Sequence, residues 1–113
     1  MKRYVYPMVL FTDENNMYTA LYPDLDLLAS GTSVEDVYLR ANEYLEFFME
    51  STLKYEAKIN SSSSYSEIQA LNPNKIVLLG SAMLDESTIV LTEQEQAEKN
   101  FLKEFIYTEE GEV

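Results

Sequence analysis

The sequence contains no cysteine, no histidine and no tryptophan. Without cysteine, disulfides and thiolate metal sites are excluded, and folding needs no oxidising compartment. Without histidine, the chain lacks the side chain that titrates nearest neutral pH, which removes most simple nucleophile–base pairs. No apolar run approaches the roughly 20 residues of a membrane span, and the run that follows Lys2 and Arg3 is too short for a signal peptide. The sequence therefore predicts a cytoplasmic protein that has no membrane contact and needs no metal or other cofactor.

Basic residues are also scarce, since 8 Lys and Arg face 20 Asp and Glu and give a net charge of −12. A field of this sign repels phosphates, so direct binding of DNA or RNA is not expected. The same field accelerates the encounter with a basic protein partner. An equally acceptable interpretation is that the charge only keeps a small protein soluble.

What the chain does contain is 113 residues, of which 46% are hydrophobic. This length and composition suit one globular domain with a real core. β-Branched and aromatic residues predict strands over residues 4–12, 17–22 and 27–30, and a continuous apolar run predicts a buried central strand over residues 75–79. Because Pro7 cannot donate a hydrogen bond, we expect the first strand to lie at a sheet edge or to be paired on one side only at that point.

The clearest helical pattern begins after Ser33, which is a good N-cap and is followed three residues later by Asp36. Its apolar stripe predicts a core-facing helix and consists of Val34, Val37, Tyr38, Ala41, Leu45, Phe48, Met49 and Thr52. Weaker patterns predict one helical turn from Ser66 to residue 71 and a helix over residues 92–107 capped by Thr92, with a frayed end over 108–113. The order of elements fits an α+β domain, β-β-β-α-β with a three-stranded antiparallel start, over residues 1–84, and a one-helix acidic extension over 85–113.

Two motifs in the first half of the chain resemble those of the HicB antitoxin family. Tyr22-Pro23-Asp24-Leu25 resembles the family's aromatic-Pro-Asp-Leu corner, and Gly31-x-Ser33-x-Glu35-Asp36-Val37 followed by Ala41-x-Glu43-x-Leu45 resembles its helix start. The resemblance implies a partial ribonuclease-H-like fold without catalysis, with Pro23, Asp24, Gly31, Ser33 and Asp36 as fold-motif residues. It also implies a partner, because family members bind HicA, a small basic toxin that cleaves RNA, and block its active surface.

The chain also departs from the family pattern. Asp26-Leu27 stands where Pro-Gly is usual, so the loop before the third strand must turn differently. Arg40 replaces an asparagine that is common in the family's first helix. Many members carry a C-terminal DNA-binding segment that represses their own operon. Residues 88–92 and the helix predicted after them resemble the front of a ribbon-helix-helix, but a second helix is missing and the segment is acidic. Autorepression is therefore not expected.

The favoured hypothesis is a HicB-like antitoxin, or a binding module derived from one, that masks the RNA-binding surface of a small basic ribonuclease. Its candidate partner surface is the polar side of the first helix, with Glu35, Glu43, Glu46 and Glu50, and pairing through the first or last strand could add backbone hydrogen bonds. The alternative is an orphan homo-oligomeric adaptor, with a dimer favoured, or a small-ligand module of the same fold. In that case a pocket or interface would be lined by Tyr18, Tyr22, Tyr38 and Tyr44.

An enzyme is not expected. Asp24 with Asp26, or Asp85 with Glu86, could hold Mg²⁺ through oxygen ligands. Such acidic pairs are far more often solvated loop residues, and we expect Asp24 to bond backbone amides at the Pro23 corner. We further expect Gly31 to adopt a backbone conformation that branched residues cannot reach.

Overall fold

The structure, a computed structural model, describes residues 1–89, 91–98, 100 and 101. Its elements in chain order are β1 (Lys2–Thr12), β2 (Tyr18–Tyr22), β3 (Leu27–Gly31), α1 (Val34–Lys54), α2 (Tyr65–Leu71) and β4 (Ile76–Leu84). A short 3-10 turn follows at Glu86–Thr88, and residues 93–98 and 100–101 are helical. The predicted α+β order is confirmed. Of the helix predicted over 92–107, residues 99 and 102–107 lie outside the described residues, as does the end predicted to fray over 108–113.

All neighbouring strands are antiparallel, and the strand order is β3-β2-β1-β4. The first strand is therefore central, and its placement at an edge is wrong. The second expectation for Pro7 holds, because Pro7 faces Leu79 of β4 while the pairing with β2 begins only at Val9. The missing N–H of Pro7 thus falls where the strand has a partner on one side only.

The last strand lies at the edge of the sheet, so its prediction as a central strand is wrong, and it extends to Leu84. The physical reason is that both faces of β4 are partly covered. Leu78 packs against the core beneath α1, and Val77 is buried with Ile68 of α2 on the opposite face. A continuous apolar run therefore indicates that both faces of a strand are covered. It does not indicate that the strand has a neighbouring strand on each side.

Helix α1 packs its predicted apolar stripe across one face of the sheet. Val37, Ala41, Leu45 and Met49 are fully buried there, together with Met8 of β1. On the other face, α2 begins two residues earlier than predicted. Its N-cap is Ser64, whose hydroxyl accepts from the Glu67 N–H at 3.2 Å while the Glu67 carboxylate accepts from the Ser64 N–H.

The glycine before α1 is required for space and not for an unusual backbone angle. Neither glycine in the described residues has a positive φ, so the expected special conformation of Gly31 is wrong. A Cβ at Gly31 would lie 2.6 Å from the backbone nitrogen of Val37 and 2.9 Å from Oδ2 of Asp36. β3 and the first turn of α1 can approach this closely only because residue 31 has no side chain.

Candidate partner-binding surface

A hydrogen-bonded cluster organises the start of α1. The Ser33 hydroxyl accepts from the Asp36 N–H at 3.0 Å, and the Asp36 carboxylate accepts from the Thr32 N–H at 2.9 Å and from the Arg40 guanidinium at 3.1 Å. The hydrogen bond from the Thr32 backbone, together with that from Arg40, lowers the pKa of Asp36 below its usual value. Arg40, which departs from the family pattern, therefore supports the helix start, and Asp36 is engaged within the fold.

The Pro23–Asp24 corner is joined to the serine-rich loop that precedes α2. The Asp24 carboxylate accepts from the Ser63 N–H at 2.8 Å and from the Ser63 hydroxyl at 2.6 Å. The Asn60 side-chain amide donates to the Asp24 carbonyl at 2.9 Å. Asp24 thus bonds a backbone amide, as expected, but the amide belongs to a loop 39 residues further along and not to the corner itself.

Asp26 shows how the chain turns without the usual Pro-Gly. Its φ is 54°, in the left-handed region, and its N–H donates to the Tyr22 carbonyl at 2.9 Å. Aspartate tolerates this conformation better than most residues, so it can close the turn into β3 where glycine would be the default.

The four tyrosines proposed to line one pocket do not all come together, although Tyr22 and Tyr38 lie close enough to interact electrostatically. Tyr22 is fully buried and donates to the Ala41 carbonyl of α1 at 2.9 Å, and burial raises its pKa. Tyr38 donates to the Leu79 carbonyl at 2.9 Å. Tyr18 is half-buried near the last residues of β1 and the first residue of β4. Tyr44 is 41% exposed on α1. Tyr22 and Tyr38 therefore bind backbone carbonyls of this chain.

Three of the four predicted glutamates share one groove on the solvent side of α1. Glu43, Glu46 and Glu50 surround Phe47 and enclose a groove of about 340 Å³, which we call the Phe47 groove. Glu35 lies elsewhere, beside a second groove of about 480 Å³ between the start of α1 and β4, whose other lining residues are Val34, Tyr38, Leu78 and Leu79. The candidate surface is therefore centred on the second half of the helix.

Two apolar residues of this surface are absent from the sequence prediction. Phe47 is 70% exposed and Leu39 is 56% exposed, although both belong to the solvent side of α1. The signal that could have found them is their position, because they fall off the apolar stripe and between glutamates. Exposed apolar side chains that share a polar helix face favour a contact surface over a merely solvated one.

The carboxylates of the Phe47 groove are only partly neutralised within the chain. Glu50 pairs with Lys54 at 3.7 Å, and Lys54 also pairs at 3.4 Å with Glu95 of the helical segment that follows Thr92. Within the part of the chain that the structure describes, Glu46 forms no hydrogen bond or ion pair. Like charges three or four residues apart destabilise a helix, and this spacing separates Glu46 from Glu43 and from Glu50. A cation placed in the groove would relieve that repulsion.

The edge of β4 is closed at its middle by side chains of α1. The Tyr38 hydroxyl donates to the Leu79 carbonyl at 2.9 Å, and the Ser81 N–H donates to the Asn42 side-chain oxygen at 3.0 Å. Because alternate residues of a strand point their backbone groups to the same side, both groups belong to the edge that faces away from β1. An added strand would have to displace these bonds, so strand pairing through the last strand is disfavoured at this point.

The acidic pairs considered as magnesium ligands are engaged in local structure. Asp85 accepts from the Ser87 N–H and hydroxyl at 3.1 and 2.6 Å, and Glu86 accepts from the Tyr4 hydroxyl, a bond that raises the pKa of Tyr4 to about 12. Among the residues the structure describes, no three carboxylates form a group able to hold a metal ion. None of the helices within those residues combines the length and apolar character needed to cross a membrane.

Comparison with solved structures places this arrangement in a known fold. The structure of the Burkholderia pseudomallei antitoxin HicB matches 74% of this chain and 66% of its own, with 17% identity and a TM-score of 0.64. The separate N-terminal domain of the same antitoxin matches 72% of this chain and 100% of its own, with 18% identity and a TM-score of 0.61. A toxin–antitoxin complex from Streptococcus pneumoniae contains a chain that matches 81% of this one and 76% of its own, with 12% identity and a TM-score of 0.65.

These similarities establish a HicB-like fold and confirm the resemblance drawn from the Pro23 and Gly31 motifs. The match spans slightly less than two thirds of the full-length HicB antitoxin but all of its N-terminal domain. No protein-family model matches the sequence, and no curated protein matches it either.

Proposed function

We propose that this protein is a HicB-like antitoxin, or a binding module derived from one, that neutralises a small basic ribonuclease toxin of the HicA type. It acts by covering the toxin's RNA-binding surface and catalyses no reaction. The observation that carries the proposal is the Phe47 groove, an exposed aromatic side chain bordered by Glu43, Glu46 and Glu50 on a HicB-like fold. The role as an antitoxin is in keeping with the matched structures, which include an antitoxin and a toxin–antitoxin complex.

The charge of the groove suits a surface that normally binds RNA. A ribonuclease holds its substrate with lysine and arginine that neutralise phosphates. At 1.5 Å per residue, the three glutamates extend over about 10 Å of helix, or one charge per roughly 5 Å. This spacing is of the same order as the roughly 3.4 Å per phosphate along one strand of a duplex, but wider. The groove can therefore offer a basic surface a row of carboxylates in place of a row of phosphates.

Phe47 adds an apolar contact that the carboxylates of the groove cannot provide. Its ring is 70% exposed, so a partner that covers it removes apolar area from water. An arginine guanidinium can lie flat on such a ring while its N–H groups reach flanking carboxylates, a contact worth about 0.5–2 kcal/mol. We therefore assign Phe47 as the central contact and the three glutamates as its polar border.

The experiment is inhibition of a HicA-type ribonuclease, chosen as the small basic protein encoded beside this chain or, if none is, the toxin of a matched complex. Binding is measured by calorimetry and neutralisation by RNA cleavage. We expect Phe47→Ala to weaken binding at least about 10-fold, which corresponds to about 1.4 kcal/mol, and Glu46→Lys to weaken it further because it places a cation against a cation.

The matched control for Glu46→Lys is Glu14→Lys, an equal change of charge on an exposed turn between β1 and β2. It alters the net charge but not the groove, so it should slow association slightly and leave inhibition intact. Equal effects of the two substitutions would mean that only the overall field matters, and the assignment of the groove would be wrong.

The proposal includes no direct binding of DNA. The helical segment after Thr92 contributes Glu93, Glu95 and Glu98 among its described residues, which a duplex repels. In an electrophoretic mobility assay with the promoter region of its own gene, the chain alone should leave the DNA unshifted at about 0.1 M salt.

A further inference from the structure

The helical residues that follow β4 are attached to the end of α1 through polar side chains. We call residues 92–98, 100 and 101 the tail segment. The Lys54 ammonium donates to the Glu95 carboxylate at 3.4 Å, and the Tyr55 hydroxyl donates to the Glu98 carboxylate at 3.3 Å. The Lys54 and Glu95 side chains are only 23% and 25% exposed, so solvent screens this ion pair less than a fully exposed one. The hydrogen bond from the Thr92 N–H, together with that from Lys54, lowers the pKa of Glu95.

Lys54 lies on the same side of α1 as Phe47. The two residues are seven positions apart, which is about 20° short of two full turns and about 10 Å along the helix axis. Lys54 also pairs at 3.7 Å with Glu50, which borders the Phe47 groove. One ammonium group therefore contacts a carboxylate of the groove and a carboxylate of the tail segment. The tail segment meets α1 where the groove ends.

The tail segment carries a second exposed phenylalanine beside a glutamate. Phe101 is 66% exposed and lines a groove of about 510 Å³ with Gln94, Ala97 and Glu98, which we call the Phe101 groove. Spacings of three, four and seven residues from Gln94 place these side chains on one face of a helix. Because Glu98 also accepts the hydrogen bond from Tyr55, the attachment of the tail segment to α1 fixes one border of this groove.

We infer that the basic partner of the Phe47 groove also contacts the Phe101 groove, so that α1 and the tail segment form one binding surface. This inference rests on the proposed function. A stable interface buries about 800 Å² on each partner, whereas one aromatic side chain contributes at most about 250 Å². Phe47 and its three glutamates therefore need a neighbouring contact surface. The tail segment provides one at the end of the groove.

The charge of the tail segment suits the same occupant. Its sequence contributes Glu93, Glu95 and Glu98 against Lys99. The Phe101 ring can receive an arginine guanidinium in the way described for Phe47. A purely apolar partner would remove the neighbouring carboxylate of Glu98 from water without supplying a cation, which is costly. A basic partner supplies both the cation and the contact with the ring.

Lys54 is a positioning residue in this arrangement, and replacing it separates geometry from charge. Lys54→Met keeps an unbranched apolar side chain but loses the ion pairs with Glu50 and Glu95. The surface becomes more negative, so charge alone would make a basic partner bind more tightly. Loss of the bond that holds the tail segment would weaken binding, because the Phe101 groove would no longer be fixed beside the Phe47 groove. The sign of the change therefore distinguishes the two effects.

The test is calorimetry of the full chain with the HicA-type ribonuclease used to measure neutralisation. The wild type is compared with Phe101→Ala, Lys54→Met and the control Leu71→Ala. Leu71 is 77% exposed at the end of α2, which packs on the opposite face of the sheet from α1. Circular dichroism establishes that each variant is folded. Hydrogen exchange in the protein without toxin measures how well the amides of residues 93–98 are protected.

We expect Phe101→Ala and Lys54→Met each to raise the dissociation constant at least about 5-fold, and Leu71→Ala to leave it unchanged. Lys54→Met should also speed amide exchange over residues 93–98 in the free protein. If Phe47→Ala weakens binding and Phe101→Ala does not, this inference is overturned and the proposed function stands. Tighter binding by Lys54→Met would also overturn it. A wild type that binds no such toxin would overturn the proposed function, and this inference with it.

Discussion

Replacing Gly80 by alanine tests how the sheet, the buried tyrosine and α1 depend on one another. Gly80 lies in β4, and the Tyr22 ring reaches it from β2, two strands away. A Cβ at Gly80 would collide with the Tyr22 hydroxyl and would lie 2.8 Å from both Cε1 of Tyr22 and Cε of Met8. The methyl end of Met8 can move aside, but the tyrosine cannot, because it is fully buried and its hydroxyl donates to the Ala41 carbonyl.

The cost of Gly80→Ala has two parts. Overpacking a well-filled core costs about 1–3 kcal/mol, and displacing the Tyr22 hydroxyl from its acceptor leaves a buried donor unsatisfied, at about 1–3 kcal/mol. Some relaxation is shared between the two, so we expect a loss of about 2–4 kcal/mol of unfolding free energy. For a domain of this size each kilocalorie per mole lowers the melting temperature by about 4–8 °C.

The assay is urea denaturation followed by circular dichroism, arranged as a double-mutant cycle with Tyr22→Phe. Removing the hydroxyl removes the worst collision, so Gly80→Ala should cost at least about 1 kcal/mol less in the Tyr22→Phe background. Ser81→Ala, next in the strand but on the opposite face, is the control and should change stability by no more than about 0.5 kcal/mol. If the effects of Gly80→Ala and Tyr22→Phe on the unfolding free energy are additive, or if Gly80→Ala alone hardly changes stability, the packing of the Tyr22 ring does not require a glycine at position 80.

Three further predictions concern the start of α1. Gly31→Val should lower the unfolding free energy by about 1–3 kcal/mol through contact with the backbone of Val37, and a melting curve identical to that of the wild type would contradict this. Ser33→Ala should cost about 0.5–2 kcal/mol and speed amide exchange in the first helical turn, and unchanged exchange there would count against the cap. Because the folded-state pKa of Asp36 is lowered, its stabilisation is present above its ordinary pKa of 3.8 and disappears as the pH falls through the folded value. Asp36→Asn should therefore flatten the acid side of the stability profile, and a profile as steep as that of the wild type would assign the acid sensitivity to other groups.

Local features could be predicted from the sequence because the interactions that create them lie within a few residues of one another. Ser33 caps the helix through a residue three positions away, and the apolar stripe of α1 follows from helical periodicity alone. The replacement of Pro-Gly by Asp26-Leu27 indicated only that the loop before β3 turns differently, and the structure shows that Asp26 does so in the left-handed region. The glutamates on the solvent side of α1 could be identified in the same way, because they are the complement of the stripe.

The tertiary structure decided everything that depends on residues distant in sequence. The apolar run of β4 is the same whether a strand is central or is an edge strand between two helices, so its position could not be read from composition. The bond from Ser63 to Asp24 joins a loop and a corner whose sequences carry no sign of each other. The sequence marked Gly31 but for the wrong reason and did not mark Gly80, and only the approach of Val37 and Tyr22 shows why neither position can carry a side chain. The periodicity of the sequence determines which side of a helix or strand is buried. Which other element that side contacts is determined only by the packing of residues that are distant in sequence.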